Sequence, residues 1–125
     1  MMRWGRILAG GFLAELLLIV AVLPALALGA QTAVIWTAVI GSPVTTFLLA
    51  WWVGRHIESR FALHGALVGV TASLIYVAIT LAQPEPFIYI VAHGLKILGG
   101  AAGGAVAGRR VLVPTAAAAT ATQGR

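Results

Sequence analysis

The stretch from Phe87 to Gly108 reads FIYIVAHGLKILGGAAGGAVAG and carries a single formal charge. A helix of about 20 residues rises far enough, at 1.5 Å per residue, to cross ~30 Å of hydrocarbon. Three other stretches have similar length and apolar character: Ile7–Gly29, Val34–Gly54 and Phe61–Ala82. The sequence therefore predicts an all-α integral membrane bundle of four transmembrane helices in one domain, residues 1–110, followed by a flexible cytoplasmic tail, residues 111–125.

The overall composition excludes an ordinary soluble domain. Hydrophobic residues make up 61% of the chain and charged residues 9%, and the mean hydropathy is +1.02. Soluble domains carry about 25% charged residues. The net charge of +5 would suggest nucleic acid in a soluble protein, but no basic stripe with interleaved aromatic residues occurs here. We expect the lipid bilayer as partner and no nucleic acid, and the lack of cysteine excludes disulfides and thiolate metal sites.

The arginines are distributed on one side only. Arg3 and Arg6 precede the first span, Arg55 and Arg60 flank the loop after the second, and Arg109, Arg110 and Arg125 follow the fourth. The other two loops contain no Lys or Arg. Because basic residues stay on the cytoplasmic side, both termini are predicted to face the cytoplasm.

The first span also has the pattern of a secretory signal. A basic segment, Met1–Arg6, precedes the apolar run Leu16–Leu23, and Ala25-Leu26-Ala27 has the form of a cleavage site. Glu15 inside the apolar stretch argues against cleavage. We expect the span to be retained, and cleavage would leave three spans.

Glu15 and Lys96 are the formal charges inside the predicted spans. Counted from the flanking arginines, both lie near the middle of the bilayer, with an offset of ~6 Å that a lysine side chain can bridge if spans one and four are neighbours. An unpaired charge there costs several kcal/mol, so we expect the two to pair. The pair is either an interhelical clamp or a site for protons or substrate.

His93 lies three residues before Lys96 and shares its helix face. It either extends a polar strip or bonds a backbone carbonyl or a threonine, and we favour the second. His56, Glu58 and His64 are the remaining candidates for a metal site. With no cysteine and with His56 in a loop, we expect no metal, no cofactor and no catalytic residues.

Glycines at four-residue spacing allow helices in lipid to approach closely. They predict packing faces on spans three and four, and the residues are Gly65, Gly69, Gly99, Gly100, Gly103, Gly104 and Gly108. Span four has two adjacent faces of this kind. Either both pack inside the bundle, or one is left for a homo-oligomer or another membrane partner.

The segment Leu8-Ala9-Gly10-Gly11-Phe12-Leu13-Ala14-Glu15 resembles the first helix of small multidrug resistance exporters. The resemblance covers about one span, and it implies a dimeric proton-coupled exporter of cationic drugs in which Glu15 exchanges the proton. Lys96 and the glycine-rich fourth span depart from that pattern. More broadly, the chain resembles four-span proteins of bacterial inner membranes, which implies that location.

Two functions follow from these patterns. The first is a protein without enzymatic activity that acts through helix–helix association, as an accessory or assembly subunit. The second is a small proton-coupled transporter that uses Glu15. A cavity that reaches Glu15 from one side favours the transporter, whereas a dry core around a Glu15–Lys96 pair favours the accessory subunit.

Overall fold

The computed structural model describes the backbone of residues 2–123 and the side chains of residues 2–110. It contains four helices in order, and no strand occurs among these residues: α1 (Trp4–Ala27), α2 (Gln31–Gly54), α3 (Phe61–Ile79) and α4 (Phe87–Gln123). All four are long and apolar enough to cross a membrane, α4 over Phe87–Arg110. The predicted all-α architecture with four span-length helices is confirmed, and the chain has the form of a multi-pass membrane protein.

The predicted bounds agree with the helices within a few residues except at the end of α4. The backbone of α4 is helical as far as Gln123, through residues that the sequence assigns to a flexible tail. The flexibility of that tail stays a prediction, and residues 124–125 lie outside the described part of the chain.

A glycine ends α1 in the expected way. Gly29 has a left-handed φ of 66°. The N–H of Ala30 donates to the carbonyl of Ala25, and the N–H of Gly29 donates to the carbonyl of Leu26, both at 3.0 Å. This is a Schellman motif, in which a left-handed residue satisfies the last carbonyl groups of a helix. It turns the chain directly into α2.

The end of α3 has the same hydrogen bonds without a glycine. Ala82 donates to Val77 at 3.0 Å and Leu81 donates to Ala78 at 3.4 Å. Leu81 and Ala82 have φ values of 54° and 53°, a region that costs side chains with a Cβ about 1–2 kcal/mol. We call the end of the bundle with these two turns, residues 28–30 and 80–86, the hairpin end. The opposite end, with Arg3, Arg6, Arg55, Arg60, Arg109 and Arg110, is the arginine end.

The helices lie in the ring order α1, α2, α4, α3. In the described part, α4 packs against α2 and α3, and α1 packs against the same two helices but not against α4. The first and last helices are therefore diagonally opposite. On the other diagonal, α2 and α3 also touch.

Glycine contacts close the half of the bundle near the arginine end. On one face of α4, a Cβ at Gly99 would lie 2.5 Å from the carbonyl oxygen of Pro43, and a Cβ at Gly103 would overlap the carbonyl of Phe47. Both neighbours belong to α2. No side chain fits in these places, so the two helices meet backbone to backbone.

The adjacent glycine face of α4 packs against α3. A Cβ at Gly100 would overlap the carbonyl of Gly65, and one at Gly104 would overlap that of Phe61. The ring of Phe61 would lie 2.7 Å from a Cβ at Gly108, and a Cβ at Gly69 would lie 2.5 Å from the carbonyl oxygen of Lys96. Every glycine that the sequence assigned to packing lies at such a contact.

Both smooth faces of α4 are thus occupied inside the bundle. Of the two alternatives that the sequence left open, this arrangement matches packing within one chain, and neither glycine face remains for a second subunit. Association with another copy or another membrane protein stays a prediction. It would have to use a different surface of the molecule.

Candidate intramembrane site

A buried ion pair joins α1 and α4. Lys96 Nζ donates a hydrogen bond to Glu15 Oε2 at 2.7 Å, and each side chain is 2% exposed. Glu15 faces inward because Gly11, Ala14 and Leu18, which share its helix face, are buried as well. The predicted contact between the two charges is confirmed.

The pair spans the bundle diagonal. The contact was expected on the condition that spans one and four are neighbours, and this condition is not met, since α1 and α4 do not pack together over the described residues. The contact forms because the extended lysine side chain crosses the centre of the bundle. Within that part of the chain, it is the only hydrogen bond between the first and the last helix.

Aromatic side chains surround the lysine on the hairpin side. Lys96 Nζ lies 5.1 Å from the centroid of the Tyr76 ring, within the range of a cation–π interaction. The His93 ring packs against Tyr76 with centroids 5.0 Å apart. The Tyr76 hydroxyl donates to Glu85 Oε1 at 2.5 Å, so a residue of α3 connects the buried pair to the turn before α4.

Three buried polar atoms, one on Glu15 and two on residues that line the same cavity, have no hydrogen-bond partner in the described chain. They are Glu15 Oε1, Ser42 Oγ and His93 Nδ1. The expected hydrogen bond from His93 to a carbonyl or a threonine is therefore wrong for Nδ1. The ring instead belongs to the strip of polar side chains that includes Lys96. Since buried polar atoms are almost always satisfied by protein or ordered water, these three mark a place where a polar group belongs.

A cavity of about 180 Å³ is lined in part by the residues that carry these atoms. Its walls are mostly apolar and come from all four helices, with Tyr76 representing α3. The lining residues are Glu15, Leu18, Ile19, Val22, Leu23, Leu26, Val34, Ala38, Ser42, Tyr76, Tyr89, Ala92, His93 and Lys96. They run from the hairpin end, at Leu26 and Val34, to mid-helix, at Glu15 and Ser42.

The cavity occupies the half of the bundle that the glycines leave open. Where α4 carries glycines, α2 and α3 close around it. Towards the hairpin end, α4 presents Tyr89, His93 and Lys96 instead, and these side chains keep the helices apart. The cavity therefore has the size for a small molecule, and its lining contains one anion, Glu15, and one cation, Lys96.

The histidines near the arginine end, His56 and His64, make hydrogen bonds to backbone groups at that end of the bundle. His64 is buried, its Nδ1 lies 3.0 Å from the carbonyl oxygen of Arg60, and its Nε2 accepts from the N–H of Arg3 at 3.5 Å. His56 Nδ1 lies 2.9 Å from the carbonyl oxygen of Trp52. Among the described residues, no three His, Cys, Asp or Glu side chains are grouped to hold a metal ion.

Sequence reasoning missed Ser42, Tyr76 and Tyr89 as parts of the site. All three are polar side chains within or at the start of apolar spans, which is the same signal that identified Glu15 and Lys96. Their hydroxyl groups carry no formal charge, so the cost of burying them is smaller and the signal is weaker.

Comparisons with models of protein families, with curated proteins and with solved structures found no match to this chain. The resemblance to small multidrug resistance exporters is therefore limited to the stretch that ends at Glu15.

Proposed function

We propose that this protein is a small proton-coupled transporter of a polar solute, in which Glu15 binds the solute and a proton in turn. One observation carries the proposal: a cavity lined by residues from the hairpin end to mid-helix reaches Glu15, whose Oε1 atom has no partner. An ion pair that only holds two helices together needs neither a cavity that leads to it nor a hydrogen-bond acceptor without a partner. Intramembrane charges in a cavity are typical of substrate and proton pathways.

The solute and a proton compete for the Glu15 carboxylate, and this competition couples the transport of one to the transport of the other. The ionised Glu15 can accept hydrogen bonds from a solute. When Glu15 takes up a proton, it loses its negative charge and releases the solute. The titratable groups that face Glu15 are Lys96, His93 and Tyr89 of α4 and Tyr76 of α3, and α2 contributes only the uncharged Ser42. Because Lys96 supplies the positive charge, proton uptake by Glu15 changes the net charge of the site from zero to positive.

The cavity size supports a small solute. Sites for drug-sized molecules enclose about 300–1,000 Å³, and this cavity measures about 180 Å³. The cationic drugs implied by the resemblance of the first helix are therefore poor candidates. They would also meet the charge of Lys96 beside Glu15.

The surroundings that we propose are a bacterial cytoplasmic membrane with both termini inside. The arginines at one end of the bundle support this orientation. The hairpin end, where we place the mouth of the cavity, then faces the outside of the cell. The solute would enter from that side, and the glycine contacts nearer the arginine end would have to separate before it could leave on the other.

Proton movement in reconstituted vesicles tests the proposal. Vesicles loaded with a pH-sensitive dye are exposed to pools of small amines, small carboxylic acids and amino acids. We expect one pool to drive proton flux with the natural protein and not with the Glu15→Gln/Lys96→Met double variant, which keeps the site neutral. No flux with any pool would overturn the proposal.

Access through the cavity can be tested on the same helix. The chain has no cysteine, and Ala38 lines the cavity, whereas Ala50 is buried in the closed half with 1% exposure. We expect a small membrane-impermeant thiol reagent to label an Ala38→Cys variant on intact cells and to block its proton flux. The matched Ala50→Cys variant should stay unlabelled, and equal labelling of both would contradict a one-sided pathway.

An accessory or assembly subunit without enzymatic activity is the second candidate. It is favoured by the direct 2.7 Å contact between Glu15 and Lys96 and by the backbone-to-backbone closure of the other half, both of which stiffen the bundle. In that case the double variant keeps its cellular role, since only stability depends on the pair. The expectation that the chain is not an enzyme is part of both candidates.

A further inference from the structure

We propose that the solute is a small α-amino acid with an apolar side chain, bound as a zwitterion against the Glu15–Lys96 pair. This inference rests on the proposed transport function and assigns its substrate class. It is carried by the charges of the site, by the free hydrogen-bonding atoms around them and by the apolar walls of the cavity.

The charge of the site selects a net-neutral ligand. The cavity ends at one anion and one cation in direct contact, each 2% exposed. A bound amine would satisfy Glu15 and leave the buried Lys96 with an additional positive charge beside it. A bound acid would satisfy Lys96 and leave the buried Glu15 with an additional negative charge beside it. An isolated buried charge is costly, so only a ligand that carries both charges leaves the site balanced.

The two ligand charges must be adjacent. Because Nζ and Oε2 are 2.7 Å apart, their complement is a molecule whose ammonium and carboxylate groups lie equally close together. An α-amino acid has this arrangement, with a single carbon between the two groups. A zwitterion with a long chain between its charges must fold that chain back to contact both side chains, which costs conformational entropy.

The site has atoms free for each charge. Glu15 Oε1 and Ser42 Oγ are buried acceptors without a partner, and they can receive N–H donors of the ammonium group. Lys96 has three donors and uses one for Glu15 Oε2. Its remaining donors, together with the Ser42 hydroxyl, can bind the carboxylate without breaking the existing pair.

The remaining walls fit an apolar side chain. Leu18, Val22, Leu23, Val34 and Ala38 lie between the ion pair and the hairpin end. The cavity of about 180 Å³ is comparable with one of about 150 Å³ that binds benzene. A side chain of three or four carbon atoms therefore fits beyond the charged end, and a large aromatic one does not.

Four compounds that differ in which charges they carry or in how far apart those charges lie test the inference. Leucine is compared with 3-methylbutylamine, which lacks its carboxylate, with 4-methylpentanoate, which lacks its amino group, and with 6-aminohexanoate, an isomer whose charges are far apart. Binding is measured by the thermal shift of the purified protein in detergent, and transport by uptake into vesicles. We expect leucine to bind at least tenfold more tightly than the other three.

The controls separate this inference from the transport function. The Glu15→Gln/Lys96→Met variant should melt as a folded protein and lose the leucine-dependent shift. If the amine, the acid or the long zwitterion binds as well as leucine, or if another pool drives proton flux while no amino acid does, the substrate class is wrong and the transport function stands. If nothing binds and no pool drives flux, both are wrong.

Discussion

Glu15 and Lys96 each depend on the other for their burial. With one partner removed, the remaining charge is left in a site of very low exposure, a change that costs about 3–5 kcal/mol for a buried pair. We therefore expect Glu15→Gln alone and Lys96→Met alone to lower the melting temperature in detergent strongly. The double variant should be milder than the sum of the two. A double variant as unstable as that sum would mean that the two charges do not support each other.

For individual residues, the sequence predicted some contacts correctly and missed others. Depth along a helix follows from counting residues, so the contact between Glu15 and Lys96 could be predicted from the flanking arginines. The places of Ser42 and Tyr76 beside them could not, because the rotation of each helix about its axis is set by packing. Four nearly uniform apolar helices carry little of that information in their sequences.

At the scale of elements, the glycines of α4 differ sharply in what surrounds them. A Cβ at Gly104 would overlap the carbonyl of Phe61, whereas one at Gly94 meets nothing within 4 Å. We expect Gly104→Ala to destabilise the protein by about 1–3 kcal/mol through overpacking. Gly94→Ala should be neutral or stabilising by up to about 1 kcal/mol, because alanine favours the helix. Melting curves of both variants decide this, and equal stability would remove the argument for close contact.

The turn after α3 offers a stabilising change. Leu81 is 81% exposed and has a φ of 54°, so Leu81→Gly removes the strain of a left-handed leucine at little cost in buried area. We expect a gain of about 1 kcal/mol in unfolding free energy. Leu28 is the matched control, since it is 83% exposed with an ordinary φ of −86°. A gain from Leu28→Gly as large as that from Leu81→Gly would contradict this explanation.

The helices themselves were predictable from length and hydropathy, and their starts and ends agree within a few residues apart from the end of α4. Gly29 gave a sound reason to end α1, and no comparable residue marked the end of α3 at Ile79. The ring order α1, α2, α4, α3 was not predictable, because short loops allow consecutive helices to be neighbours without requiring it. The diagonal position of α1 and α4 follows from the glycine contacts, which place α2 and α3 on either side of α4.

For the whole molecule, orientation is the property on which the proposed transport direction depends. Thr32 lies near the hairpin end and Ser59 at the arginine end, and both are exposed. With cysteine at each position in turn, we expect a membrane-impermeant reagent to label Thr32→Cys on intact cells and Ser59→Cys only after lysis. The reverse pattern would invert the topology and place the mouth of the cavity in the cytoplasm.

The diagonal ion pair also makes the order of synthesis matter. Its partners are 81 positions apart in the chain, so in a chain that is inserted during synthesis α1 would enter the bilayer before α4 has been translated. Until Lys96 arrives, Glu15 remains in the bilayer as an uncompensated acid, at a cost of about 3 kcal/mol on insertion scales. We expect a chain that stops after residue 86 to be degraded quickly in pulse–chase experiments and a Glu15→Leu substitution to lengthen its half-life. An unchanged half-life of the substituted fragment would mean that the unpaired Glu15 does not cause the degradation. A longer half-life would mean that the chain escapes degradation only once Lys96 is present to pair with Glu15.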